Sequence, residues 1–247
     1  MDFKIPETFN HKHLIDIREY SAKDLVSILE CAKKFKEVNE RRIKKEPLLT
    51  GFTVVNMFNE HSTRTRSSFE VAEKRLGADC LNFGGSSTST VKGESLEDTV
   101  RTLCSYKIDC IVVRDSHAGV PYKVAKTSGV PVIDAGDGKH QHPTQTLLDL
   151  YTIWDNFKDF RGLNVGIVGD ISHSRVAGSL GPALKTLGAT VTLIAPPTLM
   201  PPSPEVLGAS EISYDLDKTL PKLDVVYMLR IQRERFEGAP FPSTREY

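Results

Sequence analysis

The chain has 247 residues, 39% hydrophobic and 26% charged, with 32 basic residues against 32 acidic ones. That is enough for one large or two modest globular domains, and the even balance leaves no global field to draw nucleic acid or an anionic membrane surface. No run is apolar and long enough to span a membrane, the first residues Met1-Asp2-Phe3-Lys4-Ile5-Pro6 lack an apolar signal core, and Cys31, Cys80, Cys104 and Cys110 form no CxxC pair, so the sequence predicts a reducing, cytoplasmic setting with mostly buried thiols.

Ser21, with Asp24 three residues on, predicts a helix start. Leu25, Ile28, Leu29, Ala32 and Phe35 then share one apolar face. The basic run Arg41-Arg42-Ile43-Lys44-Lys45 reads as a solvated helix end, where cations suit the dipole. Residues 53–58 read as a buried strand, and Phe69, Val71, Ala72 and Leu76 as the apolar face of the helix that follows. Ser62, Thr63, Arg64 and Thr65 therefore stand where a strand turns into a helix. Unpaired amides, a positive dipole end, three hydroxyls and a guanidinium make that turn suited to a phosphate or similar oxyanion. Spacing alone leaves equally open a Ser/Thr helix cap beside a solvated arginine.

Residues 80–83 predict a short strand, and the glycine-flanked, hydroxyl-rich stretch 84–93 a mobile loop. Lys92, near the end of that loop, is either a clamp for an anion or part of a plain connector. Ser95 suits a cap for a helix whose inward face holds Leu96, Val100 and Leu103. Residues 108–113 predict a strand with Arg114 at its carboxyl end, residues 119–127 a weaker helix and 130–134 a further strand. Strand and helix alternate as in an α/β fold with mostly parallel sheets, where ligands sit beyond the carboxyl ends of the strands. Arg64, Arg114 and His142 all fall at such ends.

The glycines of 134–138 predict a tight loop, and Pro143 the first position of a helix running through Leu147, Leu148, Leu150, Tyr151 and Trp154. His142 would cap this helix, with Gln145 facing the same way. A helix N-terminus disfavours imidazolium, so His142 is expected to be neutral at pH 7 and to donate a hydrogen bond; a capping histidine without chemistry is the alternative. A second α/β unit follows: a strand at 163–170, a helix at 174–187 with Arg175 in its first turn, and a strand at 190–194. Residues 169–175 lack the glycine fingerprint of a dinucleotide site. The proline-rich stretch 195–202 predicts no regular structure. The last clear strand is 225–229, with Arg230 and Gln232 beyond its carboxyl end. The fold class expected is α/β, two doubly wound parallel-sheet domains at residues 1–143 and 144–247, joined by a helix from Pro143 to about Phe157.

Ser62-Thr63-Arg64-Thr65-Arg66 with Ser68-Phe69-Glu70, and His142-Pro143-Thr144-Gln145, resemble the signatures of the aspartate and ornithine carbamoyltransferases. The resemblance covers nearly the whole chain. Residues 134–138, Gly169-Asp170 with Ser174-Arg175-Val176, and residues 227–235 are similar to the aspartate branch. The physics agrees, since Arg175 and Arg230 offer two planar forks for the two carboxylates of aspartate.

The resemblance implies transfer of a carbamoyl group from carbamoyl phosphate to the amine of L-aspartate, a step of pyrimidine biosynthesis. It implies that Ser62, Thr63, Arg64, Thr65 and Arg114 hold the phosphate. Thr65, Arg114 and His142 polarise the carbamoyl oxygen, Gln145 holds the carbamoyl amide, and Arg175, Arg230 and Gln232 position aspartate. Lys92, with a serine of 86–89 such as Ser89, is lent by a neighbouring subunit of a homotrimer, and Lys92 helps hold aspartate and stabilise the departing phosphate. Residues 1–143 then form a carbamoyl-phosphate-binding domain and residues 144–247 an aspartate-binding domain. No metal, cofactor or covalent intermediate is implied, and a regulatory chain remains a possible partner. In the family a His-Pro-x-Pro-Arg segment and closing helices follow. Here the sequence stops at Tyr247, so the second domain is expected to be incomplete, with poor stability and little activity on its own. An ornithine enzyme and a shortened, non-catalytic paralogue that binds carbamoyl phosphate or partners a trimer are the alternatives.

Overall fold

The computed structural model describes residues 9–84 and 94–231. Helix α1 (Ala22–Glu40) leads into strand β1 (Thr53–Phe58), helix α2 (Thr63–Leu76) and strand β2 (Asp79–Phe83). Next come α3 (Leu96–Ser105), β3 (Cys110–Asp115), α4 (Val120–Ser128) and β4 (Val132–Asp137). Helix α5 (Pro143–Phe157) follows, then β5 (Asn164–Val168), α6 (Ala177–Thr186), β6 (Thr190–Ile194), β7 (Glu211–Ser213), α7 (Leu216–Thr219) and β8 (Val225–Met228). The strands form two four-stranded sheets, ordered β2-β1-β3-β4 and β7-β6-β5-β8, and every pairing is parallel. Within each sheet all carboxyl ends therefore lie along one edge, which is where loops can gather around a ligand.

Alternation along the strands sorts the first sheet's side chains. Val55, Met57, Ile111 and Val113 pack with Val100 and Leu103 of α3 and with Val124 of α4. Val54, Phe58 and Val112 face the other way, against Phe69 of α2. In the second sheet Val165, Ile167, Val191 and Leu193 bury against Leu180 and Leu184 of α6, in one cluster with Leu25 and Leu29 of α1 and Leu150 and Ile153 of α5. Each such fully buried aliphatic side chain contributes about 1.5–3 kcal/mol. Helix α5 touches β4 on one side and α6 on the other, so it spans the two sheets. Gly178 of α6 lets the loop between β4 and α5 come close, since a Cβ there would stand 2.2 Å from the carbonyl oxygen of His140.

The expected cap at Ser21 is a full capping box: Ser21 Oγ accepts the Asp24 amide and the Asp24 carboxylate accepts the Ser21 amide. Elsewhere the structure corrects the sequence reading. Val71 and Ala72 of α2 are exposed, whereas Glu73 is buried and its carboxylate accepts from Asn56 Nδ2 at 2.9 Å. The polar strand residue Asn56 gives the buried face of α2 a polar partner, so apolar pattern alone misplaces that face. Strand β4 runs to Asp137 because its tail still pairs with Asp115 of β3. Helix α6 begins at Ala177, which leaves Arg175 in the turn before the helix instead of in its first turn. The stretch 195–202 contains one 3-10 turn, Pro197–Leu199. All four cysteines are half-buried and free of disulfides, not mostly buried. Burial pushes the thiols of Cys80 and Cys110 up to about 12, which makes both poor nucleophiles. Among the described residues no helix is long and apolar enough to cross a membrane.

Candidate functional site

The carboxyl edge of the first sheet meets the turn after β5 around a cavity of about 820 Å³. Ser62, Arg64, Thr65, Arg114, His142, Gln145, Arg175 and Arg230 all line it. Sequence separations of up to 168 residues thus collapse into one site. Of the other residues singled out in the sequence, Thr63 is exposed at the start of α2 and does not line the cavity. Lys92, the serines of 86–89 and Gln232 lie outside the described residues.

Ser62 is the N-cap of α2, yet its side chain makes no cap hydrogen bond. Its hydroxyl donates to Thr65 Oγ1 at 2.8 Å instead, so the first-turn amides keep no side-chain cap and remain suited to an anion. Arg114 stands near the end of β3 and is the hub. Its Nη1 donates to the Ala135 carbonyl at 3.0 Å and, at the limit of contact, to Thr65 Oγ1 at 3.5 Å. The same Nη1 lies 3.4 Å from His142 Nε2. Its Nη2 donates to Glu60 Oε1 at 2.8 Å.

Glu60 is the site residue that the sequence reading left without a role. Arg175 Nη2 donates to both of its oxygens, at 3.0 and 2.9 Å, so one carboxylate bridges the guanidiniums of Arg114 and Arg175. A lone acid within a run of hydroxyls and cations was the available signal. Several guanidinium donors are left over: Arg114 Nε and Arg175 Nε and Nη1 are buried without a hydrogen-bond partner among the described residues. Buried cationic donors without acceptors are costly unless an anion supplies them.

The floor under the two arginines is Gly136, at φ +133°, where a Cβ would lie 2.5 Å from Arg175 Nη1 and 3.0 Å from Arg114 Nη1. Asp134 Oδ1 accepts the Gly136 amide at 2.6 Å and holds this turn. Gly136→Ala is therefore expected to displace both guanidiniums and to strain the backbone by about 1–3 kcal/mol. Phosphate titration should read a loss of roughly tenfold or more in affinity; wild-type affinity in the variant would contradict this account of the floor.

Burial, and then the charges of Arg114 and Arg175, pull the His142 ring down to about 3, so it is neutral at pH 7 as expected. Toward Arg114 the ring is an acceptor. A guanidinium only donates, so Nε2 accepts from Arg114 and the ring proton sits on Nδ1, 3.4 Å from Thr144 Oγ1. The helix start is fixed from beside it, where the His142 amide and Thr146 Oγ1 both donate to Ser179 Oγ of α6, at 3.3 and 2.7 Å. The acid response has a definite sign. An unfolded histidine takes its proton near 6.5, so the unfolded chain binds more protons between pH 6.5 and 3, and the fold loses stability as pH falls through that window. His142→Gln should abolish about 3 kcal/mol of the loss between pH 6.5 and 4 in denaturant melts. An unchanged pH slope would contradict the burial of a neutral ring.

The arrangement is that of an α/β protein with one cavity lined by four arginines, Arg64, Arg114, Arg175 and Arg230, beside the first turn of α2, a setting suited to anionic groups. The sequence profile of the aspartate/ornithine carbamoyltransferase carbamoyl-P binding domain matches residues 12–155, and the chain belongs to that family. Among its relatives, the aspartate carbamoyltransferase catalytic subunit of Streptomyces coelicolor is 51% identical, over 96% of this chain and 75% of that protein. The subunit of the same name from Syntrophotalea carbinolica is also 51% identical, over 97% of this chain and 76% of that protein. Among solved structures, the aspartate transcarbamoylase of Trypanosoma cruzi, in complex with carbamoyl aspartate and phosphate, superposes with a TM-score of 0.83 at 31% identity, over 92% of this chain and 76% of that one. The catalytic subunit of M. jannaschii aspartate transcarbamoylase superposes with a TM-score of 0.80 at 38% identity, over 94% of this chain and 77% of that one.

Proposed function

We propose that the protein transfers the carbamoyl group of carbamoyl phosphate to the amine of L-aspartate, giving N-carbamoyl-L-aspartate and phosphate. The observation that carries the reading is the single cavity in which Arg114, from the first sheet, and Arg175, from the second unit, face each other across Glu60 with guanidinium donors to spare. The relatives' names and the carbamoyl aspartate and phosphate held by the Trypanosoma cruzi enzyme support it. Residues 1–143 would serve carbamoyl phosphate and residues 144–247 aspartate.

In this reading the phosphate sits on the first turn of α2, held by Ser62, Arg64 and Thr65 and by Arg114, with Thr63, whose side chain is turned outward, offering only its backbone amide. Thr65, Arg114 and His142 stabilise negative charge on the carbamoyl oxygen as the tetrahedral species forms. The carbamoyl oxygen takes the Arg114 donor in this reading, and the imidazole carries its proton on Nε2 so as to offer an N–H as well. Arg175 and Arg230 grip the two aspartate carboxylates as planar forks, and Gln232 adds an amide donor. Holding both reactants in one frame replaces an encounter in solution, which is worth several orders of magnitude in rate. The amine attacks the carbonyl carbon, the C–O bond to phosphate breaks, and the ammonium proton passes to the departing phosphate. Lys92 of a neighbouring copy stabilises that leaving group in a homotrimer. Val71 of α2 and Leu81 of the edge strand β2 are exposed apolar side chains at this end of the first sheet, surface suited to such a neighbour. Thiols without disulfides suit the cytoplasm.

The test is turnover with carbamoyl phosphate and either aspartate or ornithine, following the carbamoylated amino acid. Product with aspartate and none with ornithine is expected. Product with ornithine would overturn the choice of acceptor. Phosphate and carbamoyl phosphate binding without product from either amine would make the chain a non-catalytic paralogue.

A further inference from the structure

A hydrogen-bonded chain of three side chains runs along the wall of the cavity beside α5. Tyr227, on β8, donates its hydroxyl to Asp149 Oδ2 at 2.8 Å. Asp149, one turn along α5 from Gln145, accepts Gln145 Nε2 on its other oxygen, Oδ1, at 2.9 Å. Tyr227 and Gln145 both line the cavity, whereas Asp149 lies behind them and has no part in the steps above. Burial pushes the Asp149 carboxyl up, and the two donors, Tyr227 and Gln145, pull it back. Burial and the neighbouring carboxylate push the Tyr227 hydroxyl up, so it keeps its proton and donates.

The chemistry of the chain fixes which way the amide points. A carboxylate offers acceptors only, so the group Gln145 turns to Asp149 has to be its NH2. The amide's other atom, Oε1, is then the one left to face the cavity that Gln145 lines. Among the described residues, Asp149 is the hydrogen-bond partner that tells the amide's NH2 from its oxygen.

We infer that Asp149 and Tyr227 are positioning residues that lock the Gln145 amide with its oxygen offered to the cavity, so that the site selects an acyl phosphate carrying N–H on the acyl carbon. The inference deepens the carbamoyl-transfer reading and rests on it for the position of the acyl group. A carbamoyl NH2 satisfies Gln145 Oε1; an acetyl CH3 in its place leaves that acceptor facing a methyl group. Sites that hydrogen-bond a substrate N–H or O–H reject analogues that lack it far better than apolar pockets reject a missing methylene. Acetyl phosphate is therefore the discriminating probe, because it keeps the phosphate and the carbonyl and changes only that one group.

The experiment is competition binding of carbamoyl phosphate, acetyl phosphate and inorganic phosphate to the wild-type chain, to Tyr227→Phe and to Asp149→Asn. Wild type should prefer carbamoyl over acetyl phosphate by at least ~10-fold. Both variants should narrow that preference to within about threefold, by weaker carbamoyl phosphate binding, while acetyl and inorganic phosphate bind as before. A role confined to stability would weaken all three ligands together and leave the ratio unchanged. A preference kept in folded variants, or no preference in wild type, overturns the inference. Should Asp149→Asn fail to fold, Tyr227→Phe carries the test, since it removes a single oxygen. Turnover with aspartate is read separately: a preference that collapses in the variants of a chain without turnover would sink the proposed transfer and leave this inference standing.

Discussion

Arg114→Ala is expected to lower kcat/KM for carbamoyl transfer by about 10³-fold, the largest effect of any single replacement in the site. One guanidinium there reaches Thr65, the Ala135 carbonyl, His142 and Glu60. In the proposed transfer it serves the phosphate and the developing oxyanion together, and loss of one oxyanion donor alone is worth roughly 10²–10³ in rate. The fold should survive, because Glu60 keeps Arg175 as a partner. Arg114→Lys should recover little of the loss, since a point charge cannot reproduce a planar fork that spans four partners. Steady-state kinetics with a thermal melt on each variant checks this. A loss under tenfold in folded Arg114→Ala would remove Arg114 from the centre of the mechanism.

The second large effect falls on Glu60. Arg175 is 5% exposed, and the only hydrogen bonds of its guanidinium among the described residues run to the two oxygens of Glu60. Glu60→Ala leaves a buried guanidinium without its counter-charge, and breaking a buried pair from one side destabilises by about 3 kcal/mol. It also frees Arg175 from the geometry in which it faces Arg114. The variant is expected to melt at lower temperature and to show a KM for aspartate raised at least ~10-fold. Inorganic phosphate should bind at least as tightly as in wild type, because an anion that competes for Arg114 has gone. Glu60→Gln should restore part of the stability and none of the charge balance. Weaker phosphate binding in Glu60→Ala would mean that the carboxylate builds the anion site instead of occupying it.

The sequence made the strand-to-helix turns legible because each has a local cause. Ser62 through Thr65 follow an apolar run and open a helix, and Pro143 marks the first position of α5. Side chains placed at the carboxyl ends of parallel strands then had to share an edge, which brings Arg114, His142 and Thr65 together. Long-range pairings were not legible. Nothing near Glu60 in the chain announces a partner 115 residues away, and nothing in α5 announces that Asp149 pairs with a tyrosine 78 residues further on. The α2 face was misread because a buried glutamate on an otherwise polar helix looks like surface until Asn56 is seen opposite it. Arg175 was placed in a helix because the turn before α6 carries no glycine or proline to separate it from the helix proper.

The central claim is that one cavity holds a phosphate over α2 and a pair of carboxylates at Arg175 and Arg230 at the same time. Titration with N-(phosphonacetyl)-L-aspartic acid, which joins a phosphonate to aspartate in one molecule and is bound by the Trypanosoma cruzi enzyme, tests it directly. Linking the two halves should give affinity at least ~10²-fold above that of inorganic phosphate, and either Arg114→Ala or Arg175→Ala should abolish the gain. Affinity no better than that of phosphate, unchanged by Arg175→Ala, would contradict a shared site.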